Sequence, residues 1–189
     1  MQRDLPSAGN MTGSLLIAHP SLLDPNFRRT ILLLTHHSAE DGAVGVILNR
    51  PAATPLNEIA VNPISDSLDR FNDVPLYVGG PVADTTVLLA SLSWDKSQDA
   101  VAFETFQDQA DLDDLTPDLT STLRAFVGYA GWSRGQLEGE IAQSGWIVTA
   151  PTPELIAPSN DAGSWRAHVR TISPVHHLLS TVPDDPSLN

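Results

Sequence analysis

The chain has 189 residues, no cysteine and a net charge of −13, with 23 acidic residues against ten basic ones. The length suits one domain with its own core, and the missing cysteine excludes disulfides, thiolate metal sites and thiol nucleophiles. The acidity argues against a protein that works by neutralising nucleic-acid phosphates or anionic membrane surfaces, and no run approaches the ~20 apolar residues of a membrane span.

Residues 1–12 read as a polar, flexible leader without the apolar core of a secretory signal, so a cytoplasmic location is the expectation. Compact Leu/Ile/Val runs follow. Ser14 to Ala18, Arg29 to His36 and Val44 to Asn49 have strand character, and Asp41-Gly42 between the second and third is a hairpin signal. Thr54-Pro55 predicts a short helix, with Thr as cap and Pro at the first helical position. Leu76 to Val78 is a buried strand ending in Gly79-Gly80-Pro81; Val87 to Ala90 and Ala102 to Phe106 continue the strands. Asp95 to Asp118 carries eight acids and one Lys, and its later part reads as a solvated loop. Thr116-Pro117 opens a predicted helix toward Leu123, Arg124 to Ala130 is a strand, and a helix spans about Arg134 to Gln143. Trp146 to Ala150 is a strand, Trp165 to Ile172 a final helix, and the Pro183-Asp184-Asp185-Pro186 region is polar and extended. The first three strands lie too close in sequence for helical crossovers, so antiparallel pairing and an α+β class follow.

Gly131-Trp132-Ser133-Arg134-Gly135 matches the G-x-S-x-G turn that exposes a serine nucleophile between a strand and a helix, with Asp161 and His168, His176 or His177 downstream as acid and base. The same residues form a capping box, in which Ser133 caps a helix and Gln136 reaches back to the Ser133 amide. Gly79-Gly80-Pro81 reads as an anion cradle or as a tight turn that only glycine fits, the turn being preferred because Pro81 lacks an amide donor. The pairs His36-His37 and His176-His177 point to opposite faces if extended, so neither pair chelates a metal by itself. Arg28-Arg29, at a strand entrance in a chain with few cations, are expected to pair with Asp24 or Glu140 or to bind an anion.

Four ordered blocks resemble the YqgE/AlgH family of bacterial proteins. They are Gly13-Ser14-Leu15-Leu16-Ile17-Ala18 with Pro20 and Asp24-Pro25-Asn26-Phe27-Arg28-Arg29; Gly42 to Pro51; Tyr77 to Val82; and Gly128 to Glu140 with Trp146. The resemblance covers about Gly13 to Pro183, so residues 13–183 are expected to form one such domain and 184–189 a polar tail. It implies a mainly antiparallel bifurcated sheet curled into a pseudo-barrel with flanking helices. It implies no settled activity; members are described either as uncharacterised or, through one linked to alginate synthesis, as regulators of transcription. The place of Ser133 varies in the family motif. Thr35 stands where members often have Cys, and Leu89-Ala90-Ser91 where a His often follows, which removes both groups from any function here.

The leading expectation is a non-enzymatic binding or regulatory protein, without cofactor or metal. Its candidate cleft combines Arg28, Arg29, Asn49 and Gly80 with Tyr129, Trp132, Gln136 and Glu140, and would take a small anionic ligand or a protein partner. The alternatives are a transcriptional regulator, acting directly or through a partner, and a serine hydrolase using Ser133. Net charge −13 opposes direct DNA binding.

Overall fold

The computed structural model describes residues 10–54, 56, 74–106, 123–154, 156 and 162–181. In chain order these form β1 (Leu15–Ala18), β2 (Ile31–Ser38), β3 (Gly42–Ile47), β4 (Leu76–Val78), β5 (Val82–Asp95), β6 (Ala100–Phe106) and β7 (Leu123–Trp132), followed by α1 (Gln136–Ala142), β8 (Trp146–Thr149), α2 (Ala162–Ile172) and α3 (Pro174–Ser180). The strands join in one eight-stranded sheet ordered β6-β5-β7-β3-β2-β1-β8, with β4 pairing β7 beside that path. Every named pair is antiparallel except β4–β7, which is parallel. This is the expected α+β architecture with a mainly antiparallel sheet. The sheet is not closed: among the described residues β6 and β8 stand at opposite ends of the hydrogen-bonded order.

β1 reads as an unbroken apolar run because it is covered on both faces; Leu15, Leu16, Ile17 and Ala18 are all buried. The β2–β3 hairpin turns through Ala39–Asp41, where the Asp41 amide donates to Ser38 Oγ at 2.9 Å. Gly42 closes it at φ +88, and a Cβ there would stand 2.2 Å from the Trp132 carbonyl oxygen. Two constraints therefore demand glycine at Gly42, a left-handed backbone and a crossing β7 strand.

The bifurcation lies within β7. Ala125, Phe126 and Val127 run between β4 and β5, whereas Ala130, Gly131 and Trp132 pair with β3. At the branch, Gly128 adopts φ +68, and a Cβ on it would meet the Gly80 carbonyl oxygen at 2.5 Å. A Cβ on Gly80 would in turn fall 2.2 Å from the Tyr129 carbonyl carbon. Gly79-Gly80-Pro81 is thus a backbone-on-backbone crossing, the turn preferred from sequence. Two apolar clusters flank the branch, a main core that includes β1, β2, Phe126, Trp132 and Trp165, and a smaller one of Leu56, Leu76, Leu89, Phe106, Leu123 and Ala125.

Several boundaries differ from expectation. β5 runs from Val82 to Asp95 rather than over Val87 to Ala90, because β6 pairs with it as far as Asp95. The second strand starts at Ile31; Arg29, at φ 59, belongs to the preceding turn. α2 begins three residues before Trp165. α3 was not anticipated, although Ser173-Pro174 carries the same cap-and-proline signature as Thr54-Pro55, and Ser173 Oγ accepts from the His176 amide. His176 and His177 therefore lie on a helix, not on a strand, and the opposite-faces argument does not apply to them. It does describe the other pair on β2, where His37 is buried and His36 exposed. The predicted Thr54-Pro55 and Thr116-Pro117 helices and the 184–189 tail lie wholly or largely outside the described residues.

Candidate functional site

The site grows from the turn after β7. Trp132 ends that strand, Gly135 turns the chain at φ +73, and α1 follows. Ser133 and Gln136 interact differently from a full capping box. Gln136 Oε1 does reach back to accept from the Ser133 amide at 3.1 Å, but it also accepts from Ser133 Oγ at 3.1 Å. The hydroxyl therefore donates to a side chain instead of capping a helix amide, and the residue at the helix start is Gly135. Among the described residues no histidine bonds Ser133.

Gln136 and Glu140 stand one helical turn apart on α1, and Gln136 Nε2 donates to Glu140 Oε1 at 3.0 Å. Glu140 Oε2 accepts from two indoles, Trp132 Nε1 at 2.9 Å and Trp146 Nε1 at 2.8 Å. Trp146 is delivered by β8, which pairs with β1 opposite Ala18. The two indoles meet edge to face with centroids 5.9 Å apart. Phe27 stacks on Trp132 at 6.0 Å and meets Trp146 edge-on at 5.5 Å. Three aromatic rings thus wall a carboxylate that takes three hydrogen bonds. Among the described residues no cation lies within ion-pair distance of it. Beside it opens a cleft of about 230 Å³ lined by Ser21, Leu22, Glu140, Gln143, Ser144 and Gly145.

The loop that carries Phe27 is braced by polar groups. Asp24 Oδ1 accepts from the Asn26 amide, and the Asp24 carbonyl accepts from the Phe27 and Arg28 amides. Buried Asn49 spans the end of the loop, donating to the Arg29 carbonyl at 2.9 Å and accepting from the Ile31 amide at 2.8 Å. Arg50 donates to the carbonyls of Asn26, Arg28 and Pro25. Burial, then the charge of Arg28, pulls Arg50 below the usual guanidinium value, with Asp24 opposing.

The eight candidate residues therefore separate. Trp132, Gln136 and Glu140 converge. Asn49 and the backbones of Arg28 and Arg29 hold the Phe27 loop, while the Arg29 guanidinium lies 5.6 Å from the Trp165 ring centre. Gly80 and Tyr129 belong to the sheet branch, where Tyr129, three residues before Trp132, faces the other side of β7. The candidate cleft left out Phe27, Arg50 and Trp146, although the nearness in sequence of Tyr129, Trp132 and Trp146 allowed a pocket wall as well as core packing; Phe27 and Trp146 sit in aromatic-bearing family blocks, which was the available signal.

Elsewhere, buried His37 accepts from the Met11 amide through Nδ1, so Nε2 carries the proton and donates to Glu138 Oε1 at 2.9 Å. His19 and His176 meet edge to face at 5.2 Å. Among the described residues no group of three His, Asp or Glu side chains could hold a metal, and no helix is long and apolar enough to cross a membrane.

The described residues combine an open, bifurcated, mainly antiparallel sheet with an indole-clamped glutamate on α1. The AlgH-like family model matches residues 15–176, and this chain belongs to that family. A UPF0301 protein of Streptomyces avermitilis is 35% identical over 202 residues, covering 98% of each chain. One from Mycobacterium leprae is 36% identical, covering 94% of this chain and 90% of its own. Two solved structures are similar: a Corynebacterium diphtheriae protein (TM-score 0.67, 26% identity, 96% and 95% coverage) and the AlgH protein of Pseudomonas aeruginosa (TM-score 0.62, 25%, 97% and 99%).

Proposed function

We propose that this chain is a non-enzymatic binding protein whose recognition site is the cleft at Glu140. The observation that carries this reading is the state of the carboxylate. Oε2 is filled by two indole N–H groups, Oε1 takes one amide donor and keeps a lone pair, and no cation of the described residues neutralises it. A carboxylate accepts only, so the complementary ligand group is a donor, and a positively charged one is favoured. A primary ammonium fits a cleft this small. An anion there would face Glu140, so the anionic ligand expected from the arginines is not assigned to this cleft. A regulatory role in this reading runs through the bound amine or a partner carrying one, since net charge −13 disfavours contact with DNA.

Trp132 and Trp146 touch Glu140 and report on it by fluorescence. Titration with n-butylammonium chloride is expected to change the emission saturably, and sodium butyrate at equal ionic strength is not. Gln143→Trp, which fills the cleft while leaving the Glu140 clamp, should abolish the butylammonium response as followed by calorimetry. Equal responses to the amine and the carboxylate, or an unaltered response in Gln143→Trp, would sink the reading.

A further inference from the structure

The run Leu123-Arg124-Ala125-Phe126-Val127 has one charged residue in an otherwise apolar strand. Strand alternation puts Arg124 on the same face as Phe126, and the register adds Ala90 from β5 and Tyr77 from β4 to that face. Tyr77, Ala90 and Phe126 all belong to the main core. The guanidinium is therefore inserted into apolar packing, and Arg124 is only 2% exposed.

Its partners do not match its capacity. One terminal nitrogen, Nη2, donates to the Ile156 carbonyl. Nε and Nη1 have no hydrogen-bond partner among the described residues, and no carboxylate of those residues lies within ion-pair distance. The Tyr77 ring, 6.0 Å from Cζ, offers a π face but no lone pair for these N–H groups. Guanidinium has five N–H donors and stays protonated even where burial lowers its proton affinity. An unpaired buried charge is among the least favourable features a core can hold, because it loses hydration and regains no counter-charge.

We propose that Arg124 anchors an internal site for a small oxyanion, whose oxygens accept from Nε and Nη1. The ligand is acceptor-only, because every free group is a donor. It is small, because aromatic and aliphatic side chains crowd the rest of this face. Carboxylate and phosphate share this chemistry, and both pair well with guanidinium. The site is separate from the Glu140 cleft: Arg124 lies in the part of β7 that pairs with β4 and β5, whereas Trp132 ends the strand against β3. It also has the opposite charge preference.

The test uses the full chain exchanged into chloride buffer, then titrated with sodium phosphate or, separately, sodium acetate at matched ionic strength. At least one of them is expected to raise Tm saturably, by about 2–4 °C beyond the chloride control. The same anion should shift the Arg124 Nε–H resonance of the wild-type protein. A response to phosphate alone identifies a phosphoryl ligand, and one to acetate alone a carboxylic acid. Arg124→Met, which replaces the charge by an apolar side chain, should lose the thermal response; should that variant not fold, the wild-type Nε–H titration decides. The proposal is overturned if neither anion moves Tm or the Nε–H signal beyond chloride, if Arg124→Met keeps the thermal response, or if through-bond coupling ties Nε–H to a carboxylate of the chain itself.

Discussion

Individual polar side chains in this protein act mostly as terminators of otherwise unsatisfied donors. Glu140 does so for two indoles, Asn49 for the Ile31 amide, and His37 for the Met11 amide. Glu140→Ala would leave two buried indole N–H groups unpaired and is expected to cost about 2 kcal/mol or more in urea unfolding. Glu138 lends itself to a pH test. Its carboxyl lies below the usual value of 4.5, held there first by its own backbone N–H and then by His37, with burial opposing. A depressed acid contributes stability that is complete above its unfolded value and lost as pH falls through its folded value. Glu138→Gln should therefore lower Tm near pH 7, by the equivalent of less than about 1 kcal/mol because the Glu138 side chain is about half exposed, and the gap should begin to narrow as pH falls below about 4.5. A gap that stays the same size as the pH is taken further and further below 4.5 would deny the linkage. At this scale the sequence was partly legible. The Gln136–Glu140 spacing told that the two side chains meet, since helical periodicity is local. The indole clamp was not legible, because Trp146 reaches Glu140 only after β8 pairs with β1.

The elements were read best where their signals are local and strong. Asp41-Gly42 told of a hairpin and the Ser14 to Ala18 run told of a strand, because turn chemistry and apolar continuity act within a few residues; that the strand is covered on both faces came only from the fold. Lengths were read less well. β5 and β7 are extended by partners on both sides, and tertiary pairing overrides weak local preference. A pair of glycine substitutions separates the two kinds of constraint. Gly42→Ala places a Cβ against the Trp132 carbonyl in a left-handed backbone, and should cost about 2 kcal/mol or more. Gly139→Ala, in α1 with open space around it, should gain about 0.4–1 kcal/mol. Thermal denaturation of the two variants checks the sign as well as the size.

On the scale of the whole molecule, charge and topology have separate origins. The acidity is concentrated in Asp95 to Asp118, which contributes −7 of the −13, so it says more about that one stretch of sequence than about the sites. It still predicts weak DNA affinity: a gel shift at roughly 150 mM salt should show no retardation at micromolar protein, and sub-micromolar sequence-selective binding would contradict this. From the sequence alone came the α+β class, the antiparallel start, the family and the polar residues worth following, because composition, periodicity and motif order are properties of the chain. Only the tertiary structure decided that β7 divides its pairing between two sets of strands. It also separated Tyr129 and Gly80 from Glu140, and it buried Arg124 with no matching acid among the described residues. These facts depend on which distant strands become neighbours, and a lone arginine in an apolar run carries no mark of what will surround it in the fold.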